Sequence, residues 1–156
     1  MDELKMDELK ALDAVLKVVP SRLKEINTEH VARHPAPNKW SPKQELGHLI
    51  DSGMNNHQRI VRGVLEDSLH FPGYDGDYWV GRHSYQERDW HELISVWTAV
   101  NQQILQAGRS APEEGWVHTC YVGDSSPLKV DFILKDYMAH MLHHLEHCGV
   151  SVVEFR

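Results

Sequence analysis

The spacing of the apolar residues constrains this chain more than any other feature of its sequence. In four long segments of the 156 residues, apolar side chains recur at intervals of three and four. That interval is the period of an α-helix with one buried face. It predicts helices from Leu9 to about Ile26, from Pro42 to about Leu69, from Trp90 to Gly108 and from Pro127 to about His147. Four such helices in a chain of this size predict an all-α fold, a four-helix bundle.

Residues that favour or block helical geometry mark the ends of these segments. The run SPKQ at residues 41–44 combines an N-cap serine, a proline in the first turn and a glutamine that completes a capping box. Ser126 and Pro127 repeat the first two features and predict the start of the last helix. Pro20 interrupts the first apolar stripe, so we expect that helix to be kinked or broken there.

Two long connections separate the helices, at residues 70–88 and 109–125. Neither has a sustained apolar period, and the chain lacks the alternation of strands and helices that a parallel sheet needs. Each connection is long enough to cross the full length of a helix, because an extended chain covers roughly 3.3 Å per residue. We therefore expect a single domain over residues 1–156 with long crossover connections, and the order of the helices in space stays open.

The composition argues against several classes of function. The chain carries 16 lysines and arginines against 23 acidic residues, a formal net charge of −7, so we expect no nucleic-acid partner. No apolar run approaches the roughly 18 residues of a membrane-spanning helix, so we expect no membrane contact and a cytoplasmic protein. The two cysteines have no CxxC spacing, which argues against a disulfide framework and a cysteine-built zinc site. The pentapeptide MDELK occurs twice at residues 1–10 and indicates no chemistry.

Histidine is in excess, with 12 residues in the chain and four of them between His140 and His147. A helix advances about 100° per residue, which places His140 and His144 at the shoulder of the apolar stripe and His143 and His147 almost opposite it. An i,i+4 pair puts two imidazoles on adjacent turns, where both can bind one ion. His140 and His144 are therefore the candidate pair, and a third ligand has to come from another helix.

The second helix offers that third ligand in His48, which begins a polar strip. Asp51, Asn55 and Arg59 lie within about 60° of His48 on the same helix wheel. Two interpretations of the strip stay open on spacing alone. It is either an ordinary solvated face, or a polar cleft in which His48 reaches the ion and the other three side chains line the approach.

Three stretches of the sequence resemble a known family. They are WSPKQELGHLID at residues 40–51, FPGYDGDYW at 71–79 and AHMLHHLEH at 139–147. In this order, and over nearly the whole chain, they are similar to the DinB/YfiT-like family of four-helix metalloenzymes. The resemblance implies a divalent metal ion bound by His48, His140 and His144. Zinc and nickel are the ions we expect, although imidazole also binds iron and copper.

The remaining two imidazoles of the last helix depart from the family pattern. His147 stands where we expect a glutamine-like polar residue, and His143 adds a further ring beside the pair. We place both at the rim of the site rather than among its ligands.

The resemblance also implies a reaction. Family members with an assigned role include metal-dependent transferases and isomerases that use low-molecular-weight thiols, while others are named hydrolases. We therefore expect a thiol-dependent S-transferase that acts on a small electrophilic molecule. Asp51 would be catalytic, orienting a ligand imidazole or a substrate amine. Arg59 would join it and anchor a carboxylate of the thiol, with Asn55 beside it in the cofactor-binding set.

Two other functions stay open beside this expectation. One is metal-dependent hydrolysis, with Asp51 as the general base. The other is a non-enzymatic metal-binding bundle that acts in a stress response. The family resemblance also implies a homodimer.

Overall fold

The computed structural model describes the backbone of residues 3–156 and the side chains of residues 7–156. The repeated pentapeptide at the N-terminus therefore lies partly outside the described residues. In chain order the elements are α1 (Glu3–Glu25), α2 (Thr28–Val31), α3 (Pro42–Gly63), β1 (Leu69–Phe71), α4 (Gly76–His83), α5 (Trp90–Ser110), β2 (Thr119–Val122), β3 (Leu128–Lys129) and α6 (Val130–His147). The four long helices α1, α3, α5 and α6 confirm the predicted four-helix bundle.

The capping box predicted at residues 41–44 starts α3. The Ser41 side chain accepts a hydrogen bond from the backbone N–H of Gln44, and the Gln44 side chain accepts one from the backbone N–H of Ser41. The helix ends at Gly63, earlier than the predicted Leu69, and Ser68 adopts a positive φ of 61° that excludes a helix running on to Leu69. Leu69 then enters a strand.

Of the kink or break expected at Pro20, the break is wrong, since α1 is continuous from Glu3 to Glu25. Proline removes one backbone hydrogen bond from a helix interior. The core face of α1 continues on both sides of it, because Val15, Val19 and Leu23 are all fully buried. Burial of this apolar face offsets the lost bond.

The predicted start of the last helix at Ser126 and Pro127 is also wrong. Helix α6 begins at Val130, because Leu128 pairs with Cys120 and Lys129 with Thr119 in an antiparallel ladder between β2 and β3. Leu128 and Lys129, which the serine and proline pattern assigned to the first helical turn, therefore belong to strand β3.

A small three-stranded sheet, in the order β1-β2-β3, joins the two long connections. Strands β1 and β2 pair in parallel, with Leu69 opposite Cys120 and Phe71 opposite Val122. Helices α4 and α5 lie between them in the chain, so the expectation that no strands alternate with helices is wrong at this place. Strands of two to four residues are too short for an alternating pattern to show in a sequence.

Helix α3 is the central element of the bundle. It packs against α4, α5 and α6, while α1 packs against α5 and α6. The indole N–H of the buried Trp90 donates to the carbonyl of Leu23 and so ties α5 to α1. None of the described helices is long and apolar enough to cross a membrane.

Because α3 is central, part of its polar strip is buried. Glu45, His48, Asp51 and Ser52 are each less than 9 % exposed. This part of the strip is therefore not a solvated face, and its polar atoms need partners within the protein.

Candidate metal centre

Three imidazoles from two helices meet between α3 and α6. The Nε2 atoms of His48 and His140 lie 3.0 Å apart. The ring centroid of His144 lies 4.6 Å from that of His48 and 4.4 Å from that of His140. One ligand atom from each of the three residues lies within 4.8 Å of the others. The structure thus brings together the three histidines named as ligands from the sequence.

Local sequence explains this convergence. His140 and His144 are four residues apart, so they lie on adjacent turns of the same side of α6. The Oγ atom of Ser52 on α3 lies 3.4 Å from Nδ1 of His140, which links the two helices beside the rings. The centroid of the Trp40 ring lies 4.8 Å from that of His48 and covers it on the loop side.

Gly76, at the first turn of α4, closes the site next to His48. A Cβ atom at this position would lie 3.2 Å from Cε1 of His48, so only glycine lets α4 approach the ring without displacing it. Nδ1 of His48 is buried and has no hydrogen-bond partner among the residues that the structure describes. This confinement limits the rotation of the His48 ring.

The donor set fits a divalent ion of the kind that imidazole binds. A tetrahedral ion with ligands at 2.0 to 2.1 Å separates its nitrogen donors by about 3.4 Å, close to the spacing of His48 and His140. Burial, and next the neighbouring His144, lower the pKa of His48 and of His140 to about 4. Both imidazoles are therefore neutral at pH 7, which is the form that binds metal.

A buried carboxylate that the sequence reasoning missed supports this site. The two oxygens of Glu45 lie 2.6 Å from Nδ1 of His144 and 3.2 Å from Nδ1 of His147. A hydrogen bond from Nδ1–H of His144 to Glu45 leaves its Nε2 as the metal-binding atom. Glu45 precedes His48 by three residues on α3, and this spacing places it on the side of the helix that carries His48 without singling it out as a partner of His144.

The two extra imidazoles of α6 lie at the edge of the cluster. His147 is bound to Glu45 and is exposed, so Glu45, His144 and His147 form a second group of potential ligand atoms. His143 is exposed and contacts the rings of His144 and His147, with centroids 5.0 and 4.3 Å away.

Asp51 lies one turn from His48 but faces other partners. Its side chain is fully buried. Its Oδ1 atom accepts a hydrogen bond from the hydroxyl of Tyr85, at 2.7 Å, and lies 3.0 Å from Nδ1 of His83. Burial raises the pKa of Asp51, while the bond from Tyr85 acts in the opposite direction. The structure therefore joins Asp51 to Tyr85 and His83 rather than to the three-histidine cluster.

Sequence reasoning missed Tyr85 and His83 because it assigned their segment to an irregular connection. Tyr85 explains the glycine at position 47, since a Cβ atom there would lie 2.1 Å from the tyrosine ring. The Tyr85 side chain thus packs directly on α3 beside His48.

Asn55 and Arg59 lie further along α3. The Asn55 side chain donates to the backbone carbonyl of Asp51 at 2.9 Å. Arg59 is half-buried and contacts Oδ1 of Asn56 at 3.4 Å. Both residues line a cavity of about 450 Å³, and none of the three clustered histidines lines it.

A second cavity borders the cluster at His144. It has a volume of about 660 Å³, and its walls include Trp40, Glu45, Asp77, His144 and His147. A small molecule in this cavity would contact His144 directly. Of the three clustered histidines, His144 is the one that lines this cavity.

A four-helix bundle with three imidazoles converging beside an open cavity defines a class of helical metal-binding protein. Residues 11–148 match the family model of the DinB superfamily. The chain belongs to this superfamily.

Two relatives carry the name "Putative metal-dependent hydrolase". The protein from Oceanobacillus iheyensis is 19% identical over 144 residues, covering 92% of this chain and 83% of that protein. The protein from Bacillus licheniformis is 24% identical over 143 residues, covering 85% of this chain and 78% of that protein.

Two solved structures share the fold. YfiT from Bacillus subtilis, reported as "a probable metal-dependent hydrolase with an unusual four-helix bundle topology", aligns with a TM-score of 0.85 and 18% identity over 96% of this chain and 86% of that chain. The mycothiol-dependent maleylpyruvate isomerase aligns with a TM-score of 0.72 and 11% identity over 95% of this chain and 62% of that chain. At these identities the similarity demonstrates a common fold.

Proposed function

We propose that this protein is a metal-dependent enzyme that transfers a low-molecular-weight thiol to a small electrophilic molecule. The observation that carries the proposal is the convergence of His48, His140 and His144 beside an open cavity. When bound there, a divalent ion such as zinc or nickel lowers the pKa of a thiol and favours its thiolate form at neutral pH.

The protein's own thiols support an external nucleophile. Cys120 and Cys148 are both fully buried, and burial raises the pKa of each. A buried, protonated thiol is a poor nucleophile. The reacting sulfur would therefore come from a bound small molecule, and it would form the new bond to carbon as the leaving group departs with its electron pair.

The residues around the cluster would orient it and shape its access. Glu45 would hold His144 in one tautomer, and Trp40 and Gly76 would fix the plane of the His48 ring. Asp51 would act as a positioning residue, because its contacts with Tyr85 and His83 would hold those two side chains in place. A solved structure that shares this fold is named a mycothiol-dependent isomerase, and that name includes a thiol.

Hydrolysis is the second candidate, because two relatives are named metal-dependent hydrolases. A hydrolase needs a general base within reach of the attacking water. Asp51 is enclosed, so it is not exposed to water, whereas Glu45 borders the larger cavity. Glu45 would be the base in this reaction.

A thiol-consumption assay separates the candidates. Purified protein is incubated with zinc or nickel, monochlorobimane as electrophile, and glutathione, cysteine or bacillithiol in turn, with protein-free and His48→Ala reactions as controls. The proposal predicts metal-dependent conjugation of at least one thiol above both controls. Hydrolysis of a nitrophenyl ester without dependence on any thiol would favour the hydrolase, and metal binding without either activity would favour a binding protein.

A further inference from the structure

Three arginines have no ion-pair partner among the side chains of residues 7–156, in a chain where acidic residues outnumber basic ones. The other five, each within ion-pair distance of a carboxylate, are Arg22, Arg33, Arg88, Arg109 and Arg156. The three without such a partner are Arg59, Arg62 and Arg82. An unpaired arginine is notable only where it is also withdrawn from water, and this directs attention to Arg59.

Arg59 and Arg62 line the same cavity of about 450 Å³. Glu66 is the one carboxylate among the residues that line it, so the two guanidinium groups outnumber the negative charge. Leu69 and Phe71 contribute an apolar wall. The cavity thus combines excess positive charge with an apolar surface.

The guanidinium of Arg59 is partly desolvated and forms no ion pair with a carboxylate of residues 7–156, although the charge of Asp136 acts on it from a greater distance. Its hydrogen bond to Asn56 is long, at 3.4 Å, and its other neighbour is the ring of Tyr74, with the Cζ atom 5.9 Å from the ring centroid. Burial lowers the pKa of Arg59 from its ordinary value, although arginine stays protonated in proteins. An unpaired charge withdrawn from water is unfavourable, and a bound anion would offset that cost.

Arg62 is oriented towards the same place by its own neighbour. Its Nε atom donates to Oε1 of Gln58 at 3.0 Å, one turn earlier on α3. Gln58 also lines the cavity. Two guanidinium groups on one helical face, three residues apart, can contact a single carboxylate or phosphate.

We propose that this cavity binds the anionic group of a small molecule, a carboxylate or phosphate attached to an apolar body. Arg59 follows His48 by eleven residues on α3, which is about 16 Å along the helix axis and about 20° around it. The two residues therefore share one side of the helix. The anion site therefore lies on the same side of α3 as His48 but in a cavity separate from the one that borders His144.

The test is a binding titration that needs neither metal nor turnover. The full-length protein, labelled with ¹⁵N, is titrated with 3-phenylpropionate, with phenethyl phosphate and with the neutral 3-phenylpropionamide, and the Nε–H signals of the arginines are followed by NMR. We expect at least one anion to shift the signals of Arg59 and Arg62, with no comparable shift from the amide. Comparing the two anions identifies the preferred group.

Variants assign the binding to this cavity. Arg59→Gln and Arg62→Gln should each weaken anion binding by about tenfold or more, the loss typical of one charge-assisted hydrogen bond. Arg82→Gln is the matched control, because Arg82 is exposed and lies outside the cavity. Thermal unfolding shows whether each variant is folded, and either cavity variant alone is sufficient for the test.

Three results would overturn the proposal: no shift of the Arg59 signal by either anion at millimolar concentration, equal binding of the amide, or an equal loss in the Arg82→Gln control. Failure of the thiol assay would leave this anion site standing. Conversely, failure of anion binding would leave the metal-dependent activity untouched, so the two proposals fail separately.

Discussion

Replacing Glu45 with glutamine keeps the shape of the side chain and removes its charge, and we expect it to weaken zinc binding by about 10- to 100-fold. Glu45 is suited to this test because it contacts His144 without belonging to the three-histidine cluster. Its carboxylate is also largely buried, with 7 % of the residue exposed, which strengthens its contact with the imidazole.

The magnitude follows from the two contacts of the carboxylate. Its oxygens lie 2.6 Å from Nδ1 of His144 and 3.2 Å from Nδ1 of His147. Glutamine offers one accepting oxygen and an NH₂ group, so it can accept from one imidazole only, and without charge. The loss of a charge-assisted hydrogen bond is worth about 1.5 to 3 kcal/mol, which corresponds to the same 10- to 100-fold range in affinity.

The assay is a competition for zinc between the protein and a chromogenic chelator near neutral pH. Wild type, Glu45→Gln and the control Glu25→Gln are compared, since Glu25 is an exposed glutamate at the end of α1. Thermal unfolding of the metal-free proteins shows whether each is folded. Equal zinc affinity of folded Glu45→Gln and wild type would refute the assignment of Glu45 as the residue that orients His144.

Three further outcomes are expected. In the metal-free protein, burial lowers the pKa of His48 and His140 to about 4, whereas unfolded imidazoles titrate near 6.5. The titration of these two rings should therefore leave the free energy of unfolding unchanged above pH 6.5 and lower it as the pH drops towards 4. Between these values the unfolded chain binds up to two more protons, so urea unfolding should show a slope of up to about 2.7 kcal/mol per pH unit, and a flat profile would contradict the burial of these rings. Gly47→Ala should lower the free energy of unfolding by about 1 to 3 kcal/mol or more, because the new Cβ would overlap the Tyr85 ring. Gly81→Ala is the control and should not lower it, because a Cβ atom at position 81 would have no atom within 4 Å. Equal effects of the two substitutions in urea unfolding would show that the Tyr85 ring moves freely. The two buried cysteines should not react with DTNB in the folded protein and should both react in denaturant, and rapid reaction of the folded protein would remove the argument for an external thiol.

Much of the bundle could be predicted because its information is local. The capping box at Ser41 and Gln44 lies within one turn, and the apolar stripes of the four helices repeat every three to four residues. The errors arose where distant residues compete with local pattern. Pairing of β3 with β2 determines where α6 begins, and burial of the core face carries α1 through Pro20.

The sequence predicted the histidines of the candidate site but not the partners of Asp51 or the role of Glu45. The spacing of His140 and His144 on one helix restricts them to one side, so their pairing follows from helical geometry alone. The partners of Asp51 could not be found in this way, because Tyr85 is 34 residues distant along the chain and lies in a segment without a period. Glu45 could not be ranked above other first-turn glutamates until α3 and α6 were seen to pack together.

The central claim is that one divalent ion is held jointly by α3 and α6. Elemental analysis of protein purified without a histidine tag, beside its His48→Ala variant, tests it most directly, because His48 is the contribution of α3. We expect about one zinc or nickel ion per wild-type chain and a large loss of that ion in the variant. Full retention of the ion by folded His48→Ala, with unchanged affinity, would contradict it.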